Sequence, residues 1–388
     1  MRTIVRTAAG LLLLVLATTA TPARGQWTAL GDMPRPSRQG NALRFENAQA
    51  VAVVTALSPE VIRVRISPGR EMRDHSYAVI NRDFGETGAT FSIEAARSAI
   101  STSALRVSIQ HAPFRVGFAT PGGQSLDEDD AQRGTVFSGT ATRVFKRLRD
   151  DEHVYALGEK NGPLDKRGWK LGGYSFTMWN SDTFGYDAST DPLYVSVPFY
   201  IVLRKGVAYG VFLDNTFRSN FDIGHQTEGV LSFGAEGGAL DYYFIYGPEP
   251  KKVIERYTAL TGRMPLPPLW SLGYHQCRYS YYPDKKVRFI ADNFRVRRIP
   301  ADTIWLDIHY QDSYKPFTWD RQRFPDPAGM IGDLRKEGFR IVTIVDPHPK
   351  KEVGYKPYDT GLAGGHFVKN PDNKLIADFV ESSARPQK

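Results

Sequence analysis

The apolar pattern of the chain changes once, near Pro248, and this change limits the fold more than any other feature. Before it, short segments rich in Val, Ile and Phe show partial two-residue alternation. Ala50–Thr55, Val61–Ile66, Leu105–Gln110, Phe114–Phe118, Tyr194–Val202, Ala208–Leu213, Leu231–Phe233 and Tyr242–Tyr246 read as strands. Clusters such as Ser67-Pro68-Gly69 and Pro121-Gly122-Gly123 punctuate them. Many short strands with turn signals and little helical periodicity predict an antiparallel sandwich. The acidic run Leu126-Asp127-Glu128-Asp129-Asp130 lacks the ligand order of a calcium loop and reads as a solvated turn.

After Pro248 the period lengthens. Val253, Ile254, Tyr257 and Leu260 recur at helical spacing over Pro250–Gly262, and Gly262, Pro265, Pro267 and Pro268 end that helix. From Trp270 onward strands and helices alternate. Ser271–His275 reads as a strand, and Asp284 as the cap of a helix that buries Val287, Ile290 and Phe294. Thr303–Leu306 is a second strand. Asp326 before Pro327 is an N-cap followed by the favoured first-turn proline, Met330, Ile331 and Leu334 form the next apolar face, and Gly338 closes the helix. Ile341–Val345 is a third strand. This order predicts a parallel α/β sheet.

Met1–Gly25 has the three parts of an export signal: Arg2 and Arg6, the apolar stretch Ala8–Ala17, and Ala23-Arg24-Gly25 before Gln26. The apolar stretch is shorter than the roughly 20 residues a bilayer span needs. A secreted or periplasmic protein, free of the membrane once the signal is removed, is expected. The formal charge of +8 falls to +5 without Arg2, Arg6 and Arg24, and the remaining basic residues are scattered, so a nucleic-acid partner is not expected. The only cysteine, Cys277, cannot form an internal disulfide and reads as a small buried residue; a dyad with His275 lacks any further support. The dispersed His residues and the absence of HExxH and CxxC argue against a metal, and no cofactor is expected.

If the second half is a barrel, chemistry belongs at the C-terminal ends of its strands. His275-Gln276-Cys277-Arg278-Tyr279, Asp307-Ile308-His309-Tyr310 and Asp346-Pro347-His348 follow the three strands in turn. The loop Tyr310–Phe324 carries Tyr314, Phe317, Trp319 and Phe324. Aromatic faces beside carboxylates suit sugars, because rings stack on C–H faces while carboxylates accept hydroxyl hydrogens. His275 reads equally as a satisfied core histidine, and Asp346 as a turn former. Asp307, directly after Ile304-Trp305-Leu306, needs a partner if buried, either a ligand or a backbone donor.

Several segments, in this order, resemble glycoside hydrolase family 31, the α-glucosidase family. They are Tyr155-Ala156-Leu157-Gly158-Glu159-Lys160, Gly162-Pro163-Leu164-Asp165-Lys166-Arg167-Gly168, Trp179-Asn180-Ser181-Asp182-Thr183, Pro198-Phe199-Tyr200, Gly210-Val211-Phe212-Leu213-Asp214-Asn215, Gly273-Tyr274-His275-Gln276-Cys277-Arg278-Tyr279, Asp307-Ile308-His309-Tyr310, Phe317-Thr318-Trp319-Asp320 and Phe324-Pro325-Asp326-Pro327. The resemblance is strong over Glu152–Lys374 and weaker before it. It implies a galactose mutarotase-like β-sandwich over 26–247, a linking helix over 248–265, and over 266–388 the first three strands of a (β/α)8 TIM barrel. It also implies retaining hydrolysis of terminal α-linked sugars. By the same resemblance Asp182 reaches over the barrel mouth, Tyr279 follows the first strand, Asp307 and Ile308 follow the second, and Ile344 forms a wall near the third; these five would bind the substrate. The Asp-Ile-His-Tyr form is closer to α-glucosidases than to α-xylosidases.

Retaining glycosidases need two carboxylates about 5 Å apart. In this family the nucleophile lies in a Trp-x-Asp-Met-Asn-Glu motif at the fourth strand, with the acid/base beyond it, and that motif does not occur in the 388 residues. Ile376–Lys388 also departs from the family pattern. The expectation is therefore a truncated or incomplete product, with both catalytic carboxylates beyond the last residue, inactive alone and prone to aggregate along an open sheet edge. The alternatives are a non-catalytic carbohydrate-binding protein and a non-functional remnant.

Overall fold

A computed structural model describes residues 26–70, 72–167, 174–346, 348–370 and 372–375. The proposed signal Met1–Gly25, the glycine-bearing stretch 168–173, Pro347 and the segment Ile376–Lys388 lie outside the described residues. The chain divides into two compact units between Arg263 and Met264.

The first unit is built from antiparallel sheets. An eight-stranded sheet runs, edge to edge, through His153–Gly158, Ser196–Arg204, Val207–Leu213, Leu240–Tyr246, Val61–Pro68, Ala50–Ala56, Ala42–Glu46 and Ser37–Gln39. A six-stranded sheet includes Ala141–Arg147, Val230–Ala235, Ser219–Ile223 and Tyr174–Met178, and a five-stranded sheet includes Phe114–Ala119 and Arg106–His111. Alternation sends Tyr200 and Phe244 of the large sheet into a shared core. There Phe244 stacks on Phe118 with centroids 4.1 Å apart, and Tyr200 meets Phe221 and Phe233 edge-on at 6.0 and 6.1 Å. These contacts fasten all three sheets to one core.

The opposite face of the large sheet carries Phe199, Phe212 and Tyr243, and the helix Pro250–Thr261 covers it. Tyr257 stacks on Phe199 at 4.0 Å, while Val253 and Leu260 are fully buried. Ile254, expected on this face, is 48% exposed, because it lies about 100° round the helix from Val253. The helix thus belongs to the first unit.

The second unit contains three parallel strands in the order His275–Gln276, Thr303–Leu306, Arg340–Thr343. The helices Asp284–Val296 and Pro327–Lys336 lie between them in sequence, as expected. Val287, Ala291, Ile304, Leu306, Met330, Leu334 and Phe339 form one buried core. Asp326 caps its helix, its Oδ1 accepting from the Gly329 amide at 2.9 Å. Gly338 takes a φ of 87°, the left-handed turn that ends the helix.

Four local expectations are corrected. Ser271–His275 is not a strand: a 3-10 turn occupies Leu269–Leu272, and pairing begins only at His275, opposite Thr303. Asp284 is the first residue of its helix, and its carboxylate accepts from the adjacent Lys285 amide; Pro283 is the capping position. The acidic run is not a solvated turn. Ser125–Glu128 is a strand, and Asp127 and Asp129 are buried against Lys146. Cys277 is exposed, because it lies beyond the short first strand, outside the core.

Candidate functional site

The residues named from the sequence fall in both units. In the first, Asp182 is exposed in the loop between the strands Tyr174–Met178 and Ser196–Arg204. Exposed aromatic rings surround it in sequence, Trp179 at 50% and Phe184 at 92%. The loop would be free to wander without an anchor at its base, and Lys160 supplies one. Its side chain is 1% exposed, and its ammonium donates to Thr177 O at 2.6 Å, to Asp191 Oδ1 at 2.9 Å and to Ser196 Oγ. Asp191 Oδ2 accepts from the Thr177 amide, and Asn161 Nδ2 donates to the carbonyls of Asp187 and Thr190. Gly158 starts this motif in a left-handed conformation, φ 81°. A Cβ there would stand 2.6 Å from Val195 O, so only glycine lets the two segments close up.

In the second unit the remaining candidates gather past the C-terminal ends of adjacent parallel strands. Asp307 follows Leu306 directly, half-buried, and its Oδ1 accepts from the Ile308 amide at 2.7 Å, capping the single turn Ile308–Tyr310. Ile344 lies just beyond the neighbouring strand. Its amide donates to Leu306 O at 3.0 Å and its carbonyl accepts from Tyr310 Oη at 2.9 Å. Tyr279, 56% exposed, follows the first strand. Its ring meets His309 edge-on at 4.9 Å. Partial burial, then Tyr314 and Asp307, raise the Tyr279 hydroxyl above its ordinary value. Slight burial and the Asp307 carboxylate likewise raise the exposed Cys277 thiol, which disfavours the thiolate that nucleophilic chemistry requires.

His275 is engaged in packing. Its Nδ1 accepts from Trp305 Nε1 at 3.1 Å, and its ring lies 6.4 Å from Trp270 and 6.0 Å from Trp305. Asp346 is half-buried past the third strand. Among the described residues no three His, Cys, Asp or Glu side chains form a group able to hold a metal ion.

Residues 51–222 match the glycosyl hydrolase 31 N-terminal galactose mutarotase-like domain, and residues 264–386 match the glycosyl hydrolases family 31 TIM-barrel domain. Together they take in well over half of the sequence. The chain belongs to glycosyl hydrolase family 31. It is 37% identical to alpha-glucosidase 2 of Bacillus thermoamyloliquefaciens over 369 residues, which is 92% of this chain and 46% of that protein. It is 36% identical to the lysosomal alpha-glucosidase of Mus musculus over 59% of this chain and 24% of that one. Among solved structures, the Flavobacterium johnsoniae family 31 dextranase complexed with isomaltotriose superposes with a TM-score of 0.83 at 34% identity, covering 90% of this chain and 42% of that one. The chain thus spans less than half the length of each. The sandwich followed by the first strands of a TIM barrel, expected from the motifs, is the architecture of the two matched domains.

Two features escaped sequence reasoning. Lys160 was visible only as part of a motif, because its partners Thr177, Asp191 and Ser196 are distant in sequence. The contacts of His309 with the Tyr279 segment depend on a turn whose path no periodicity encodes.

Proposed function

We propose that this chain carries the substrate-binding part of a retaining α-glucosidase-type glycoside hydrolase acting on terminal α-linked sugars. The observation that carries the reading is the placement of Tyr279, Asp307, Ile308 and Ile344 just past the ends of three adjacent parallel strands, the position where barrel enzymes bind substrate. The Asp307 carboxylate accepts hydroxyl hydrogens, the Tyr279 ring offers a stacking face, and Ile308 and Ile344 provide apolar walls. On the first unit Asp182 is an exposed carboxylate on its anchored loop, with the same capacity to accept hydroxyl hydrogens. The alpha-glucosidase relatives and the isomaltotriose-bound dextranase support a glucoside ligand.

Bond cleavage needs a nucleophile and an acid/base. The family's nucleophile motif is not among these 388 residues, so the part of the site they carry is the sugar-binding part. Export by the Met1–Gly25 signal completes the reading: an oligosaccharide ligand met outside the cytoplasm, with neither nucleic acid nor membrane as partner. Among the described residues, no helix is long and apolar enough to cross a membrane.

Calorimetry with isomaltotriose and methyl α-glucoside tests this reading. Saturable binding by the 388-residue chain, weakened about 10- to 100-fold in Asp307→Ala, is expected, with no release of 4-nitrophenol from 4-nitrophenyl α-glucoside. Absence of binding, or hydrolysis well above the Asp307→Ala control, would overturn it.

A further inference from the structure

His309 stands two residues beyond Asp307, yet most of its contacts are with other segments. Its Nδ1 lies 2.7 Å from Ser280 Oγ. The Tyr279 ring meets the imidazole edge-on at 4.9 Å, Tyr282 stacks on it at 4.9 Å and 20°, and Tyr314 approaches edge-on at 5.8 Å. Arg323 joins both residues, with its guanidinium carbon 4.6 Å from the Tyr282 ring centroid and Nη1 donating to the His309 carbonyl at 3.2 Å. One imidazole thus joins the turn after the first strand, the turn after the second, and the Tyr314 loop.

We propose that His309 is the positioning residue of the sugar pocket, latching the segment that carries Tyr279 to the strand end that carries Asp307. Tyr279 is itself more than half exposed, so little of its ring is fixed by burial. The Ser280–His309 bond lies one residue from it and restricts the backbone on which it stands. The latch works with a neutral ring. Burial, then the Arg323 cation, lower the affinity of His309 for a second proton, and the Asp307 carboxylate opposes them. The bond to Ser280 is therefore between two neutral groups, and its loss frees the segment without stranding a buried charge. The inference uses the proposed sugar site for its binding consequence only.

Limited proteolysis with chymotrypsin, on the 388-residue chain without ligand, tests it, because Tyr279 is exposed within the latched segment. In His309→Ala and in Ser280→Ala, cleavage after Tyr279 and Tyr281 should rise about five-fold, the population shift that loss of one net hydrogen bond brings. Cleavage within the strand Thr303–Leu306 should stay unchanged. His309→Asn, which returns a hydrogen-bonding atom near the position of Nδ1, should restore slow cleavage. Isomaltotriose affinity should fall by a similar factor of about five in the two alanine variants. If His309→Ala does not fold, Ser280→Ala decides alone. Unchanged cleavage after Tyr279 and Tyr281 would overturn the latch. So would cleavage that rises equally within Thr303–Leu306, or a His309→Asn variant cut as fast as alanine. If the unmodified chain binds no sugar, the proposed function fails, while the cleavage pattern still decides the latch.

Discussion

Lys146 Nζ lies 2.8 Å from Asp127 Oδ2, and both side chains are almost completely shielded from solvent, at 1% and 2% exposure. Asp129 Oδ1 lies 2.9 Å from the same ammonium, and Asp129 Oδ2 accepts from the Val116 amide. Tyr242 Oη is a further neighbour at 3.3 Å. Burial works against the ammonium, but the two carboxylates outweigh it and keep Lys146 cationic. A buried ion cluster of this kind contributes little net stability while intact, yet losing one partner is costly. Lys146→Met should therefore destabilise the chain by about 3–5 kcal/mol, measured by urea unfolding, since it leaves two carboxylates buried without their cation. Adding Asp127→Leu and Asp129→Leu should recover part of that loss. A destabilisation under about 1 kcal/mol would mean that water enters the cluster.

Lys160 performs a comparable service for a loop rather than for the core. It joins Asp191 to Thr177 and Ser196 at the base of the loop bearing Asp182. Lys160→Met should free the loop before it melts the sandwich. Chymotrypsin reads this directly, because Phe184 and Tyr186 are exposed within the loop. Cleavage there should rise about ten-fold, corresponding to loss of roughly 1–2 kcal/mol of charge-assisted bonding, with a much smaller change in the global unfolding midpoint.

These two lysines also show where the sequence was legible and where it was not. Leu240–Tyr246 announced itself because it buries apolar residues on both faces, and Val61–Pro68 because Ile62, Val64 and Ile66 alternate with Arg63, Arg65 and Ser67. Ala141–Arg147 did not. Its inward positions are Thr142, Val144 and Lys146, so binary patterning points a lysine to solvent. Only Asp127, on another sheet, and Asp129, bridged directly to Lys146 just after that strand, make the lysine an interior residue, and the same pairing explains why the acidic run looked like a turn. In the second unit Asp326-Pro327 gave the helix start, since capping is local chemistry. The first parallel strand was misplaced because its register is set by Thr303, a long-range partner. Asp307 was conspicuous as a carboxylate after an apolar strand, whereas the role of His309 depends on a fold of the chain at Ser280.

The Arg63 guanidinium bridges Asp74 and Asp241, donating to Asp241 at 2.6 and 2.8 Å and to Asp74 at 2.7 and 2.8 Å. Its hydrogen bonds hold the Asp74 carboxyl down to about 2, below the ordinary 3.8. A depressed carboxyl stabilises the fold above its ordinary value, and that contribution disappears as the pH falls from about 4 through 2. The Asp74 side chain is 44% exposed, so solvent screening reduces the contribution to about 1 kcal/mol at neutral pH. Asp74→Asn isolates it. The difference in unfolding free energy between the unmodified chain and this variant should be about 1 kcal/mol at pH 6 and close to zero at pH 2. A difference that persists at pH 2 would assign the effect to packing instead.

Asp307 has two separable duties, and the amide isostere distinguishes them. Its Oδ1 caps the turn Ile308–Tyr310, and an asparagine oxygen in the same place can still accept from the Ile308 amide. What asparagine removes is the charge that the proposed sugar site requires. Hydrogen bonds from hydroxyls to a charged acceptor contribute about 1.5–3 kcal/mol, so Asp307→Asn should weaken isomaltotriose binding by about 10- to 100-fold in calorimetry. The melting temperature should move by less than about 2 °C, because the cap survives and the side chain is only half-buried. Asp307→Ala should lose both duties, matching the asparagine variant in affinity and falling below it in stability by about 1 kcal/mol, the usual cost of removing a cap. If both variants lose stability equally and neither changes sugar affinity, Asp307 is a structural anchor and the pocket must be built around other carboxylates.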